Sequence, residues 1–406
     1  MAVGMTKEQF QDELGRLEAL FSVQRPELEL TVRDAAAGVE GYVVVWNSAP
    51  GKHGPLGPCG KGGTRITPTV SIDEITMLAQ RMALKNAAAG LAMGGAKSGL
   101  KGDPDSAGFE KRYRRFVQLI RPILREHGGI FGGLGFDMGA RPEHPIWACE
   151  ELGSGRSFTG KPLRMGGTDY DREGIAGLGV AVAGRSALEF FGGSMKGARC
   201  AIQGLGAMGA AVFRYVTEFG AEIHSVSDPR LGGTFVFRRG ISEPLREAII
   251  DQDFAKGRVL AEASGAVRTP DTSDVLFEEV DILFPCAVQD VIIEQNAERV
   301  KARLLIEGAN GPCSRGAQLK LAAQGTTVIP DFIANPGGII AAYVEMTSTV
   351  SPEQNVLTRA NVVEARRLTE EKISANVSSV LSLGLELGVD PVDAGRYQAL
   401  KIICSA

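Results

Sequence analysis

The sequence predicts an α/β chain in two parts: an N-terminal α/β domain, then a Rossmann-type domain on a parallel sheet, with C-terminal helices packing back on the first. Three observations predict this. From about residue 170, short apolar strands alternate with helical patterns, which is how a parallel sheet reads in sequence. A glycine turn, 204-GLGAMG-209, stands between one such strand and one such helix. The length of 406 residues suggests two domains, or three at most. The expected boundaries are 1–165 together with 347–406 for the first domain, and 166–346 for the second.

The elements follow in order. Residues 6–22 form an amphipathic pattern, and 39-VEGYVVVW-46 is rich in β-branched and aromatic residues, as strands are. After the loop 48-SAPGKHGPLGPCGKGG-63, Ser71 and Glu74 make a capping box. The helix it opens sets Ile75, Leu78 and Met82 on one face and carries Lys85 near its end. A helix over 107–126 has a basic face of Lys111, Arg112, Arg114, Arg115, Arg121 and Arg125. No interleaved aromatics or basic loops accompany it, so solvent or subunit contact is expected there rather than nucleic acid. Helix 174–191 then leads to strand 199–204, helix 207–219 ending at Gly220, and strand 222-EIHSVSD-228. Strands are expected at 280–286, 302–308 and 327–332, and a helical tail over 358–403.

Composition narrows the function. A net charge of −4 gives no electrostatic case for nucleic acid or an acidic membrane. No apolar run approaches the ~20 residues of a membrane span, and MAVGMTKEQF lacks the blocks of a signal peptide, so a cytoplasmic protein is expected. Six scattered cysteines without a CxxC pair read as free thiols in a reducing compartment. Four histidines without HExxH make a zinc site unexpected.

Two constellations carry chemistry. Gly204, Gly206 and Gly209, with Ala207 and Met208 between the last two, fit G-x-G-x-x-G, and Asp228 ends the next strand nineteen residues on. The first glycine permits the tight turn, the second lets backbone meet a pyrophosphate, and the third lets helix and strand approach. Asp228 is placed to accept from an adenine ribose, which favours NAD over NADP, although Arg230 can offset its charge. The other constellation is Lys61, Lys85 and Lys97, the last set in 93-MGGAKSG-99, followed by Asp137. Lysines among Gly and Ala lack the polar neighbours of a surface patch. Their charge suits a small anion, and burial lowers a lysine pKa enough for proton chemistry.

With these motifs the chain resembles the glutamate/leucine/phenylalanine/valine dehydrogenase family, and its glutamate members more than its branched-chain ones. The matching segments are 61-KGGTR-65, 85-KNAAAGLAMGGAKSG-99, 137-DMGA-140, 159-TGKPLRMGGTDYDREG-174, 202-IQGLGAMG-209, 307-EGANGPCS-314 and 329-IPDFIANPGG-338. The resemblance implies oxidative deamination of an L-amino acid to a keto acid and ammonia, with NAD or NADP as cofactor, in a homo-oligomer, a hexamer by the family's habit. It implies a first domain that binds substrate and forms the oligomer, separated by a cleft from the cofactor domain. By the same resemblance Lys97 and Asp137 are catalytic, Lys85 holds the α-carboxylate, and Lys61 meets a side-chain carboxylate. Asn310 and Asn335 lie beside the nicotinamide end. Two departures stand out: Ala176 where the family's glutamate enzymes have threonine, and Ala342 where a serine helps bind the glutamate side chain. Lys61 therefore argues for glutamate, and Ala342 for a hydrophobic, aromatic or unusual amino acid. A catalytically weak, dinucleotide-binding regulator is a further alternative.

Overall fold

The computed structural model describes residues 4–405. Residues 1–3, the start of the segment read for a signal peptide, and residue 406, the end of the expected 347–406 segment, lie outside it. The chain divides into two compact units. The N-terminal unit comprises Gln11–Glu173, Ile339–Arg366 and the stretch from Arg396; the central unit comprises Gly174–Gly338, Arg367–Gly395 and the stretch up to Phe10.

In chain order the N-terminal unit contains α1 (Lys7–Val23) from Gln11 onward, β1 (Leu28–Asp34), β2 (Val39–Val45), β3 (Gly60–Lys61), β4 (Thr64–Thr67), α2 (Ile72–Ala88) and β5 (Gly94–Lys101). It continues with α3 (Phe109–Ile120), β6 (Leu134–Gly135), α4 (His144–Leu152), β7 (Phe158–Thr159) and α5 (Tyr170–Glu173). β1, β2 and β5 pair antiparallel in that order, and β3 and β4 both join β5 in parallel. The Ser71 hydroxyl accepts from the Glu74 amide at 3.2 Å, the N-cap half of the expected capping box, while the Glu74 carboxylate is engaged by Arg65 instead of closing the other half. Pro122 ends α3 earlier than expected, because an interior proline removes a helix hydrogen bond. Behind β2 and β5, Val43, Val45, Leu100, Phe109, Phe116, Phe131 and Phe158 form a fully buried core. Each such side chain contributes about 1.5–3 kcal/mol by leaving water.

The central unit begins with α6 (Ile175–Phe190), β8 (Arg199–Gln203), α7 (Ala207–Glu218), β9 (Glu222–Asp228), β10 (Gly233–Val236), α8 (Glu243–Ile250), α9 (Phe254–Ala263) and β11 (Val267–Thr269). β12 (Ile282–Pro285), β13 (Leu304–Ile306), α10 (Arg315–Ala323), β14 (Thr327–Ile329) and α11 (Asp331–Ala334) follow. Its sheet runs β11-β10-β9-β8-β12-β13-β14. Five strands, β9 to β14 through β8, are parallel, as the alternation predicts. β10 and β11 add an antiparallel edge that the sequence reading left out. The turn from β9 to β10 spans only four residues, too few for a parallel crossover, so an antiparallel return is the only geometry available.

The chain closes with α12 (Gly337–Thr347), α13 (Pro352–Thr358), α14 (Ala360–Leu387) and α15 (Pro391–Ser405). The tail was expected to return whole to the first domain. Instead Arg367–Gly395 belongs to the central unit. Arg185 of α6 pairs with Glu370 at 3.1 Å, and the Ser186 and Ser374 hydroxyls meet at 3.0 Å, which pins that part of α14 onto α6. Gly388, at φ +64°, breaks the tail into two helices. No helix among the described residues is long and apolar enough to cross a membrane.

Candidate active site

Lys97 stands in the middle of β5, opposite Val44 of β2. α2 lies directly on this strand. A Cβ on Gly95 would fall 2.2 Å from the Ala83 amide nitrogen, so glycine there is what lets helix and strand touch. The contact encloses the Lys97 side chain, which is 7% exposed. Its Nζ lies 3.1 Å from Oδ1 of Asp137, in the loop after β6. The Arg65 Nε of β4 donates to Oδ2 of the same carboxylate at 2.9 Å, and its Nη1 donates to Glu74 at 2.6 Å. Burial lowers the Lys97 pKa, and the attraction of Asp137 offsets this only in part. Burial pushes Asp137 upward, but Lys97 and Arg65 together hold it below the usual carboxylate range. The result is an ionised acid clamped between two cations, one of which parts with its proton more readily than an ordinary lysine.

Lys61 ends β3 and is 1% exposed. Its Nζ donates to the carbonyls of Gly133 and Leu134 at 2.7 and 2.5 Å. Burial, then repulsion from Lys161, lowers its pKa to about 7 against the pull of Glu345. Lys85 lies half-buried in the last turn of α2. Ala342 is buried on α12. Met346, one turn further along that helix, reaches within 3.1 Å of where a Cβ on Gly132 would sit, and Lys61 Cβ within 3.5 Å of the same point. The structure thus brings Lys97, Asp137, Lys61, Lys85 and Ala342 into one unit.

The central unit holds the second constellation at the C-terminal end of β8. The chain leaves β8 for β9 on one side and returns to β12 on the other, the switch point where open α/β sheets bind ligands. Gly204 has φ +80°, and a Cβ there would lie 2.7 Å from that of Ala287. On Gly209 it would lie 1.7 Å from the Gly204 carbonyl oxygen. Gly206, by contrast, is open, with nothing nearer than Arg230 Nη2 at 3.8 Å. Ala207 and Met208 open α7, whose N-terminal amides carry partial positive charge. Asp228 closes β9 and is 3% exposed. Asn335 donates to the carbonyls of Gly308 and Ala309 and to Asn310 Oδ1, while its own Oδ1 is buried without a protein partner. A sterically required turn, an open second glycine and an orphaned acceptor together fit a dinucleotide. Ala176 sits in the first turn of α6, against Gly337 and Gly338.

Residues 26–151 match the family domain described as Glu/Leu/Phe/Val dehydrogenase, dimerisation domain, and residues 166–402 match Glutamate/Leucine/Phenylalanine/Valine dehydrogenase. The chain belongs to this family. It is 34% identical over 355 residues to the NADP(+)-dependent glutamate dehydrogenase of Pyrobaculum calidifontis, a match that covers 84% of this chain and 79% of that one. It is 34% identical over 351 residues to the NADP-specific glutamate dehydrogenase of Saccharolobus shibatae, across 82% and 79% of the two chains. Among solved structures, the hetero-hexameric glutamate dehydrogenase of Thermus thermophilus superposes with a TM-score of 0.74 at 26% identity, covering 97% of this chain and 94% of that one. The protein is therefore an amino-acid dehydrogenase, an oxidoreductase that works with a nicotinamide cofactor.

Sequence reasoning missed two features of this dehydrogenase's N-terminal unit. Arg65 lies within 61-KGGTR-65, yet only the lysine of that motif received a role. Lys161 and Glu345 form an enclosed ion pair at 2.9 Å, with the Glu345 side chain 0% exposed. Glu345 also accepts from the amides of Gly160 and Thr168 and from the Thr168 hydroxyl. The one signal for it was an acid inside the apolar run 339-IIAAYVEM-346.

Proposed function

We propose that this dehydrogenase deaminates L-glutamate to 2-oxoglutarate and ammonia, and runs the reductive amination in reverse. The 3.1 Å contact of Lys97 with Asp137 carries this reading. A nicotinamide ring, when bound, takes up the hydride that leaves the substrate Cα. Asp137, ionised at neutral pH, accepts a proton from the substrate ammonium so that the nitrogen lone pair assists departure of that hydride. Lys97, in the neutral form that burial makes accessible, takes a proton from the water that attacks the imine carbon, and as the resulting ammonium polarises the new carbonyl. Asp137 returns its proton to the leaving nitrogen, and as ammonia departs the freed carboxylate takes up the proton of the carbinol hydroxyl, which completes the carbonyl. Lys85 is the partner for the α-carboxylate. Gly204, Gly206, Ala207, Met208 and Gly209 would hold the pyrophosphate, with Asp228 on the adenosine side and Asn310 and Asn335 at the carboxamide end.

Lys61 supports glutamate. An ammonium has three N–H groups, and two are given to Gly133 and Leu134, which leaves one for a ligand. Enclosed as it is, that group favours a carboxylate over an isopropyl side chain, which would leave it unmatched. Ala342 supports the second reading, an apolar amino acid, because a buried methyl stands where a serine hydroxyl would assist the acid. A substrate domain formed by the N-terminal unit, Gln11–Glu173 with Ile339–Arg366 and the stretch from Arg396, a homohexamer and a cytoplasmic location complete the proposal.

A panel of keto acids with ammonia and each reduced cofactor tests it. The expected result is fastest turnover with 2-oxoglutarate. A preference for a branched or aromatic keto acid would transfer the assignment to the second reading. Absence of turnover across the panel, with cofactor still bound, would replace both by a regulatory role.

A further inference from the structure

Two lysines of the N-terminal unit are enclosed almost completely, Lys61 at 1% exposed and Lys161 at 4%. Both are anchored on the same pair of short strands. Lys61 Nζ donates to the carbonyls of Gly133 and of Leu134 in β6, and Lys161 Nζ donates to the carbonyl of Phe158 in β7. Leu134 and Phe158 are register partners in these parallel strands, whose backbones lie about 4.8 Å apart. Two ammoniums are thus held on adjacent strands, where like charges repel and little water screens them. Two buried cations call for two anions.

The protein supplies one. Among the described residues, Glu345 of α12 is the one carboxylate paired with either lysine. Its Oε2 accepts from Lys161 Nζ at 2.9 Å and from the Gly160 amide at 3.1 Å. Its Oε1 accepts from the Thr168 amide at 2.7 Å and from the Thr168 hydroxyl at 2.6 Å. These bonds fix the acid on Lys161 and on the 160–168 loop, while Lys61 keeps one N–H beyond its two carbonyls. Ala342 stands three residues earlier on α12, hence on the same side of that helix. After burial, the repulsion of Lys161 acts most on Lys61, then the attraction of Glu345, with Cys59 and Lys97 behind them. Glu345 also acts on Cys149 of α4, and on Asp169, Tyr170 and Asp171 at the start of α5.

The geometry points to Glu345 as a positioning residue for the substrate: paired with Lys161, it supplies one of the two negative charges that the enclosed ammoniums require and leaves the other to a carboxylate that Lys61 receives. This rests on the reading of Lys61 as the partner of an acidic side chain. The pocket is one anion short when Lys61 is charged and balanced when Lys61 is neutral. Entry of a carboxylate therefore draws a proton onto Lys61, and Glu345 governs how readily that proton is held.

The test uses the whole protein and glutarate, a dicarboxylate that cannot turn over, in calorimetric titrations between about pH 6 and pH 9 with reduced cofactor present. Lys61 is charged below about pH 7 and neutral above it, so glutarate affinity falls as pH rises through that point. Glu345→Gln removes an attraction on the Lys61 proton, so the fall moves to lower pH and binding above pH 7 weakens several-fold. Lys161→Gln removes a repulsion, so the fall moves to higher pH. Opposite shifts from the two ends of one ion pair are the expected result. A pair that only holds the loop in shape would leave the midpoint in place, or move it the same way from both ends, and either outcome would overturn the proposal. Each variant carries its own sign, so one that fails to fold leaves the other decisive. The unaltered enzyme gives a further readout: titrations in buffers of different ionisation heat should show about one proton taken up per glutarate near pH 8 and almost none near pH 6. No uptake at the higher pH would also overturn the proposal. Absence of glutarate binding by the unaltered enzyme at every pH would remove the glutamate reading itself, and this proposal with it.

Discussion

At the scale of single residues, the site depends on desolvation acting on charges of opposite sign. Asp137 stays ionised because two cations touch it, and Lys97 loses grip on its proton because the strand and helix around it exclude water. Arg65 is a positioning residue in this scheme. Arg65→Ala should lower turnover and move the acid limb of the kcat/KM profile to higher pH, as Asp137 loses a cation that holds its pKa down. Arg65→Lys should restore part of both, and a profile that does not move would leave Arg65 with a purely structural part. Lys61 sets a second pH dependence. Its pKa is lowered to about 7, so it is charged below that pH and neutral above it. Affinity for an acidic substrate should accordingly fall as pH rises through 7, and in Lys61→Met this dependence should vanish along with most of the affinity; inhibition constants of a dicarboxylate measured across that range check it. Lysines 61, 85 and 97 and Asp137 were legible because their spacing matched known motifs. Arg65 and the Lys161–Glu345 pair were not, since an arginine or an acid read in isolation is most often on the surface.

Among elements, glycine decides what touches what. Gly95 lets α2 rest on β5, and Gly204 and Gly209 close the turn before α7. Gly209→Ala should abolish dinucleotide binding, because the added methyl would overlap the Gly204 carbonyl at 1.7 Å. Retained NADH or NADPH fluorescence enhancement would contradict that. α12 tests the substrate side. Ala342→Ser should strengthen 2-oxoglutarate binding by one hydrogen bond, about 0.5–1.5 kcal/mol or several-fold in KM. An unchanged KM would place the substrate side chain elsewhere. Period-two and period-3.6 patterns made α1, β2, α2 and the strands β8, β9, β12, β13 and β14 readable. β10 and β11 escaped because they are only four and three residues long, too short to show a period, and are stabilised by their neighbours. β1 was passed over although Leu28, Leu30 and Val32 alternate with Glu29, Thr31 and Arg33, the period-two pattern of a half-buried strand.

For the whole molecule, the sequence showed two units but not the path of the tail. The helical periodicity of 358–403 says that helices form, while the Arg185–Glu370 and Ser186–Ser374 contacts that place Arg367–Gly395 in the central unit are long-range and invisible to a local pattern. The proposed hexamer predicts a single particle of six chains by light scattering; a monomer at assay concentration would refute that part alone. The central claim is that a buried lysine facing an acid performs the proton chemistry of an amino-acid dehydrogenase. Steady-state reductive amination of 2-oxoglutarate by Lys97→Ala, with cofactor binding measured in parallel, tests it most directly. The account predicts a loss of turnover of about 10²–10⁴-fold with cofactor affinity intact; turnover close to that of the unaltered enzyme would contradict it.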